Sequence, residues 1–224
     1  MVRTLKKPEE RKKEILEAAK ELFHTLGYNQ TPVNAIIKKA GIAKGTFYYY
    51  FRSKNEVLSC IAYDTVKEMV KEAQKIVSIK EINALEKLKK LLRGQSESFD
   101  TGYKIVDHLH QPENRELHES LNIEIIKKFG PIIAKVIEQG ILEGHFSVER
   151  PLETIQLILA GSQFLLTTNL FDWSESQEHS ITLAMQSMIE RSLGAKKGSF
   201  SFLREPYKIS SYQKTKKNKT KRED

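Results

Sequence analysis

The chain has 224 residues, of which 39% are hydrophobic and 29% charged, and its formal net charge is +8. No apolar run approaches the roughly 20 residues that span a bilayer, and the N-terminus lacks the apolar segment of a signal peptide. The single cysteine, Cys60, excludes an internal disulfide and the multi-cysteine metal sites. We therefore expect a cytoplasmic protein without a membrane segment.

The charge is unevenly distributed along the chain. Residues 1–54 contain 12 Lys and Arg against 5 Asp and Glu, a net charge of +7. Residues 55–195 contain 15 against 21, which gives −6, and residues 196–224 contain 10 against 3, which gives +7. Because a local basic block attracts polyanions, the pattern predicts a polyanion-binding head at 1–54, a body with another task at 55–195, and a basic tail at 196–224 that we expect to be disordered.

Three short helices are predicted in the head. In ERKKEILEAAKELFHTLG, apolar residues recur at three- and four-residue steps, and Gly27 is placed to end this first helix. Thr31 is a plausible N-cap for a second helix that starts at the following proline. Gly41 allows a sharp turn, and Phe47 and Phe51 anchor a third helix. This arrangement is typical of the helix-turn-helix, whose last helix enters the major groove of DNA.

Further helices are predicted throughout the body. Ser53 and Glu56 form a possible capping box for the first of them, and Pro131 is expected to open the fourth. The periodic stretches lie at about 54–80, 82–110, 113–128, 131–142, 151–171 and 175–193. No strand-like alternation of useful length is present, so the predicted fold class is all-α, with an N-terminal three-helix helix-turn-helix domain and a C-terminal helical domain.

The sequence ILEAAKELFHTLGYNQTPVNAIIKKAGIAKGTFYYYFRSKNEVL resembles the N-terminal signature of the TetR family of bacterial repressors. Its second half combines the turn, a threonine, an aromatic run and a trailing lysine at fixed spacing, which a generic helix-turn-helix does not require. The resemblance implies a homodimer with two DNA-binding heads, repression from a near-palindromic operator, and release from DNA when a small molecule enters the C-terminal domain.

The resemblance also implies which side chains read the bases. Carried over position by position, the family's roles place Lys44, Gly45 and Tyr48 at base edges in the major groove. Asn34, near the start of the second helix, is a further candidate for this role. We expect these residues to set the operator sequence.

Phosphate contacts are implied for neighbouring positions. The candidates are Thr31, Thr46, Tyr49, Tyr50 and Lys54. The family usually has histidine at the position of Tyr50. A neutral phenol here replaces a group that can carry charge, which puts the strength of that contact in question.

The acidic body is expected to dimerise and to sense a ligand. The segments at about 151–171 and 175–193 carry more apolar surface than one amphipathic stripe explains, as a helix shared with a partner does. In the TetR family the final helices pair across a two-fold axis, so the resemblance places the homodimer interface there. A small-molecule pocket is expected among helices from about 82 to 171. Its candidate lining residues are Phe99, Tyr103, His110, Asn114, His118, Asn122, Phe129, Phe164 and Trp173.

Neither a metal site nor an enzyme is expected. His108 and His110 point about 200° apart on one helix, and Pro112 separates them from His118, so their spacing does not suit a metal. The sequence has no Ser/His/Asp set, HExxH pair, phosphate-binding glycine loop or dinucleotide motif. We therefore expect no catalysis and no cofactor.

Two functions remain open from the sequence. The first is a repressor that a small-molecule ligand releases from its operator. The second is a constitutive or activating DNA-binding factor whose body recruits a protein partner. A partly polar cavity in the body would favour the first, whereas a fully packed body with an exposed apolar patch would favour the second.

Overall fold

The computed structural model describes residues 7–93, 115–167, 171 and 173–204. Over these ranges the chain is helical and has no strand, which confirms the predicted all-α class. The helices are α1 (Pro8–Leu26), α2 (Val33–Lys39), α3 (Lys44–Tyr50), α4 (Lys54–Ser78), α5 (Ala84–Arg93), α6 (Arg115–Leu142), α7 (Pro151–Thr167) and α8 (Glu175–Ser192), followed by a 3-10 turn at Ser201–Arg204. Among the described helices, none combines the length and hydrophobicity that crossing a membrane requires.

The head is built around the buried faces of its helices. Gly27 follows α1 with a φ of +85°, in the region that favours glycine. Ile15 and Phe23 of α1 pack in one cluster with Phe47 and Phe51, and all four are almost completely buried. The prediction that these two phenylalanines anchor the third helix is confirmed.

The start of α4 is capped as the sequence indicates. The backbone N–H of Glu56 donates to Oγ of Ser53 over 3.2 Å, which satisfies one of the free donors at a helix start. The carboxylate of Glu56 accepts from the backbone N–H of Arg52 at 2.6 Å, one residue before the position that a capping box uses. These two bonds fix the turn between α3 and α4.

α4 is shared between two hydrophobic clusters. Its first turns bring Val57 and Ile61 into the head cluster, and Ala73 belongs to the body cluster. Val70 of α4 and Ile125 of α6 pack against both clusters. Head and body are therefore joined through the contact between α4 and α6.

A helix boundary at Pro131 was expected, and this prediction is wrong. α6 runs through Pro131 as one continuous helix. Proline restricts the residue before it partly by a clash with that residue's Cβ, and glycine has no Cβ. Gly130 precedes the proline and is buried against α7, where an added Cβ would lie 3.2 Å from Cγ of Gln156. Packing against α7 stabilises the helix across the proline.

Residues 194–204 pack onto the body, which corrects the expectation of disorder from residue 196 onward. Gly194 turns the chain with a φ of +59°, and a Cβ at this position would lie 2.6 Å from the carbonyl oxygen of Ser147. Phe200 and Phe202 are buried in the body cluster. The segment's overall richness in lysine and serine conceals these two apolar anchors. The rest of the tail lies outside the described residues.

A buried carboxylate holds this C-terminal segment in place. Oε1 of Glu190 accepts hydrogen bonds from Nε2 of Gln186 at 2.7 Å and from the backbone N–H groups of Gly198 and Phe200 at 3.0 and 3.1 Å. Burial by itself raises the pKa of Glu190, but these bonds and the nearby Arg204 bring it below its ordinary value. The charged form of the carboxylate thus fastens the segment to α8.

Candidate DNA-binding interface

α3 presents one face to the head cluster and the other to solvent. Phe47 points into the cluster and is fully buried, whereas Lys44 and Gly45 are exposed. Tyr48 is 48% exposed and Tyr49 is 79% exposed, which is unusual for large aromatic side chains. The solvent face therefore carries the ammonium of Lys44, the two phenol groups of Tyr48 and Tyr49, and the backbone of Gly45, which no side chain covers. Groups of these kinds contact base edges and phosphates.

The turn between α2 and α3 sets the angle of this face. Gly41 has a φ of +62°, in the left-handed region that a β-carbon disfavours. The backbone N–H of Ile42 then donates to the carbonyl of Ile37 over 3.2 Å, and its half-buried side chain packs against the head cluster. Gly41 therefore forms the sharp turn that the sequence predicts.

The other candidates on α2 and α3 differ in exposure. Asn34 is exposed on α2, so it is free to approach DNA. Thr46 is half-buried, and so is Tyr50, which packs against the head cluster. The rings of Tyr49 and Tyr50 meet edge to face at 5.0 Å. Tyr50 thus supports Tyr49 from the protein side.

Thr31 does not present its hydroxyl to solvent, which argues against the phosphate contact expected of it. The side chain is completely buried, and Oγ1 donates to the carbonyl of Gly27 at 2.7 Å and approaches that of Leu22 at 3.3 Å. A hydroxyl engaged with carbonyls at the end of α1 is not available to DNA. Thr31 fixes the turn between α1 and α2. The prediction that it caps α2 is wrong, because α2 begins at Val33 with Pro32 at the N-cap position.

Lys54 is also bound within the head. Its Nζ donates to the carbonyl of Tyr28 over 2.7 Å and lies 4.2 Å above the centre of the Tyr28 ring. Burial lowers the pKa of this ammonium. Sequence reasoning missed Tyr28, because nothing in the sequence pairs residues so far apart.

Exposed cations lie along the same stretch of chain. Lys38 ends α2, Lys44 begins α3 and Arg52 precedes α4, and all three are exposed. Lys39 pairs with Glu21 of α1, whereas Lys38, Lys44 and Arg52 have no ion-pair partner within the described ranges. Unpaired surface cations favour DNA binding, because a cation that neutralises a phosphate releases counterions condensed on the DNA.

The candidate ligand residues of the body fall into separate groups. Phe99, Tyr103, His110 and Asn114 lie outside the described residues, as does the expected helix from residue 94 to about 110. His118 is buried, Nδ1 of its ring lies 3.4 Å from Nδ2 of Asn122, and burial lowers its pKa.

The aromatic candidates lie elsewhere in the body. Phe129 is part of the body core. Phe164 meets the ring of Phe171 edge to face at 5.5 Å, and Phe171 stacks on Trp173 at 5.1 Å. Phe164 and Trp173 are thus linked through Phe171, and Phe129 serves the packing of the core.

A stripe of small and apolar residues runs along the outer face of α7. Leu157 is 75% exposed and Phe164 is 54% exposed, and Ala160 and Gly161 lie exposed between them at helical spacing. A Cβ at Gly161 would meet nothing within 4 Å. On α8, Met188 is an exposed apolar residue as well. We call this surface the α7 stripe.

Two family models match the chain, one in the head and one in the body. A family model described as "Bacterial regulatory proteins, tetR family" matches residues 15–60, and one described as "Tetracyclin repressor-like, C-terminal domain" matches residues 99–188. The "Fatty acid metabolism regulator protein" of Bacillus subtilis is 30% identical over 135 residues, which cover 59% of this chain and 69% of that protein. The chain belongs to the TetR family. It is a DNA-binding transcriptional regulator with a helix-turn-helix.

A second regulator resembles the chain in sequence, and two solved structures share its fold. The uncharacterised regulator YhgD of Bacillus subtilis is 29% identical over 74% of this chain and 85% of its own length. A transcriptional regulator from Cytophaga hutchinsonii shares the fold with a TM-score of 0.57 at 22% identity, over 86% of this chain and 96% of that one. The fatty acid degradation regulator FadR of Bacillus halodurans does so with a TM-score of 0.56 at 23% identity, over 85% and 100%. All three of these proteins are named as regulators.

Proposed function

We propose that this TetR-family protein is a repressor that binds a near-palindromic operator as a homodimer and leaves it when a small molecule binds the body. The observation that carries the proposal is the solvent face of α3, where Lys44, Gly45, Tyr48 and Tyr49 are exposed in front of buried Phe47. Such a face fits the major groove, which accepts one helix and is read by donors and acceptors.

The individual contacts of this operator complex form part of the proposal. Lys44, Gly45 and Tyr48 read base edges, and Asn34 assists from α2. Thr46, Tyr49 and Tyr50 contact phosphates through their hydroxyl groups. Removing Lys44 should relax specificity at one operator position, whereas removing the Tyr49 hydroxyl should weaken binding to all sequences alike.

The α7 stripe supports dimerisation through α7 and α8. Leu157 and Phe164 expose apolar surface that costs free energy in water, and the small residues between them allow a second helix to approach closely. A two-fold axis along such a face pairs the same residues from both subunits. The dimer then spaces two α3 helices for successive major grooves.

The ligand is proposed to act on α4, which belongs to both hydrophobic clusters. A small molecule that prefers a body with a displaced α4 shifts the heads away from operator spacing. Buried His118 and its neighbour Asn122 lie on α6, which packs against α4. We propose these two side chains as the polar contacts of the ligand. The similarity to the Bacillus subtilis fatty acid metabolism regulator supports an acyl-chain compound as the ligand class and fatty acid metabolism genes as the targets.

The test is operator binding by the purified full chain. Fluorescence anisotropy with its own promoter region, at physiological salt, should give binding at least a hundredfold tighter than with a scrambled duplex. Fatty acids and acyl thioesters of graded length should then raise the dissociation constant. Equal affinity for both duplexes would contradict the repressor, and no response to any acyl compound would contradict the ligand class.

The α7 stripe also favours a second function, a ligand-independent activator or constitutive regulator that recruits a protein partner. An exposed apolar patch suits such a partner as well as a second copy of the chain. The two functions differ in the mass of the isolated protein. A dimer in solution covers the stripe and favours the repressor, whereas a monomer that binds operator half-sites favours recruitment.

A further inference from the structure

We propose that Lys54 is a positioning residue, which supports operator binding by holding the two ends of the helix-turn-helix together through its contacts with Tyr28. Lys54 makes no phosphate contact of its own. The inference rests on DNA binding by the head as proposed above. It starts from the two contacts of the Lys54 ammonium, the hydrogen bond of 2.7 Å to the Tyr28 carbonyl and the ring of the same residue at 4.2 Å.

The position of these contacts along the chain gives them their effect. Tyr28 follows Gly27 in the turn after α1, and Lys54 is the first residue of α4. The bond therefore joins residues 26 positions apart, and the segment between them contains all of α2 and α3. One side chain closes a loop around the complete DNA-reading motif.

The carbonyl that Lys54 binds belongs to a turn with a second constraint. The backbone N–H of Thr31 also donates to the Tyr28 carbonyl, over 3.1 Å, while the Thr31 hydroxyl binds the carbonyl of Gly27. The Tyr28 ring packs edge to face on buried Phe23 at 5.1 Å. Lys54 therefore binds a turn of the head that is itself held by other contacts. It links this turn, which precedes α2, to the start of α4, which follows α3.

A phosphate contact would draw the Lys54 ammonium away from one or both of these interactions, at a loss of their free energy. The hydrogen bond and the ring contact hold the ammonium on the protein, and a charge-assisted bond of this kind is stronger than a bond between neutral groups. Exposed Lys44 and Arg52 can approach phosphates without such a loss. The contribution of Lys54 is therefore to the placement of α3, and it does not add to counterion release.

The salt dependence of binding distinguishes these two roles. Each lysine that neutralises a phosphate contributes about 0.9 to the slope of log K against log salt, whereas a residue that only positions the helix contributes nothing. Operator affinity is measured for the full chain by anisotropy from about 50 to 200 mM salt. Lys54→Met should weaken binding about tenfold at every salt concentration, with an unchanged slope.

Two further variants complete the experiment. Lys75→Met, at an exposed position of α4 that pairs with Glu72, is the matched control and should leave affinity and slope as in the wild type. Tyr28→Leu removes the ring beneath the ammonium but keeps the backbone carbonyl. Adding Lys54→Met to it should therefore cause a smaller fold loss than Lys54→Met causes in the wild type, because the ring contact is already absent. Lys54→Gln, which keeps a donor without the charge, should recover part of the affinity.

Clear outcomes would overturn the inference. A slope that falls by about 0.9 per subunit in Lys54→Met would identify a phosphate contact. Fold losses that multiply in the double variant would show that Lys54 does not act through the Tyr28 ring. Unchanged operator affinity in Lys54→Met would show that Lys54 has no positioning role. A wild-type protein without operator preference contradicts only the proposed function, since the slope is measurable on any duplex that it binds.

Discussion

The ammonium of Lys87 lies 2.8 Å from the carbonyl oxygen of Val77, in the last turn of α4, and 2.8 Å from Oε1 of Gln139 on α6. Lys87 is buried in spite of its charge. A cation at the C-terminal end of a helix interacts favourably with the helix dipole and satisfies a carbonyl that has no partner within the helix. Lys87 therefore ties the far end of α4 to the body, as Lys54 ties its start to the head.

Replacing Lys87 should destabilise the protein. Lys87→Met keeps most of the side-chain volume but leaves the Val77 carbonyl and the Gln139 amide without their donor. We expect the free energy of unfolding in urea to fall by about 1–3 kcal/mol. Lys89→Met, at an exposed position of the same helix, should change it by less than about 0.5 kcal/mol. Equal stability of the two variants would show that Lys87 does not hold α4.

Thr31 should contribute to folding and leave the electrostatics of DNA binding unchanged. Thr31→Val is nearly isosteric and removes the hydroxyl that the Gly27 carbonyl accepts, so the free energy of unfolding should fall by about 1–2 kcal/mol. Thr31→Ser keeps the hydroxyl and should lose less. The salt slope of DNA binding should be the same in both variants, and a shallower slope for Thr31→Val would restore the phosphate contact that the family resemblance implies.

The α7 stripe makes the oligomeric state sensitive to a single charge. Leu157→Lys places an ammonium within the proposed interface, where it would be buried without a partner. Light scattering on the eluting protein should give a monomer for this variant and a dimer for the wild type. Leu142→Lys, at a position on α6 that is 90% exposed, is the control and should remain dimeric. A dimeric Leu157→Lys protein would place the interface elsewhere.

His118 should make stability fall at acidic pH. Burial lowers the pKa of His118 in the folded chain, so the unfolded chain takes up the proton first. The free energy of unfolding should therefore decrease as the pH drops below about 6.5. His118→Gln should flatten this part of the pH profile in thermal melts, whereas His24→Gln, at an exposed position of α1, should not. Parallel profiles for wild type and His118→Gln would assign the acid sensitivity to other groups.

Periodicity and turn residues were sufficient to predict the three helices of the head, its core, and the helices α4, α7 and α8 of the body. Phe47 and Phe51 lie four residues apart, a spacing that puts both rings on the same side, and both are buried. Gly41 takes the left-handed conformation that the turn requires. The break expected at Pro131 was wrong, because the tolerance of α6 for proline depends on Gly130 and on packing against α7. Such packing depends on residues distant in sequence, and local patterns do not report it.

The candidate site was predictable in its positions and less so in its roles. Exposed Lys44, Tyr48 and Tyr49 lie where the family signature places DNA contacts. Thr31 and Lys54 occupy signature positions too, but their polar groups bind backbone carbonyls of the head. A signature fixes which residue type stands at a position, whereas the direction of a polar group depends on the acceptors that the fold brings near it.

The burial of Phe200 and Phe202 fixes where the chain can be shortened. A truncation at the end of α8 would remove both rings from the body core and leave the Glu190 carboxylate without two of its backbone donors. Losing one such aromatic side chain costs about 3–5 kcal/mol, a large part of the stability of an ordinary domain. A shortened protein meant to separate the charge of the tail from the fold therefore has to retain Arg204.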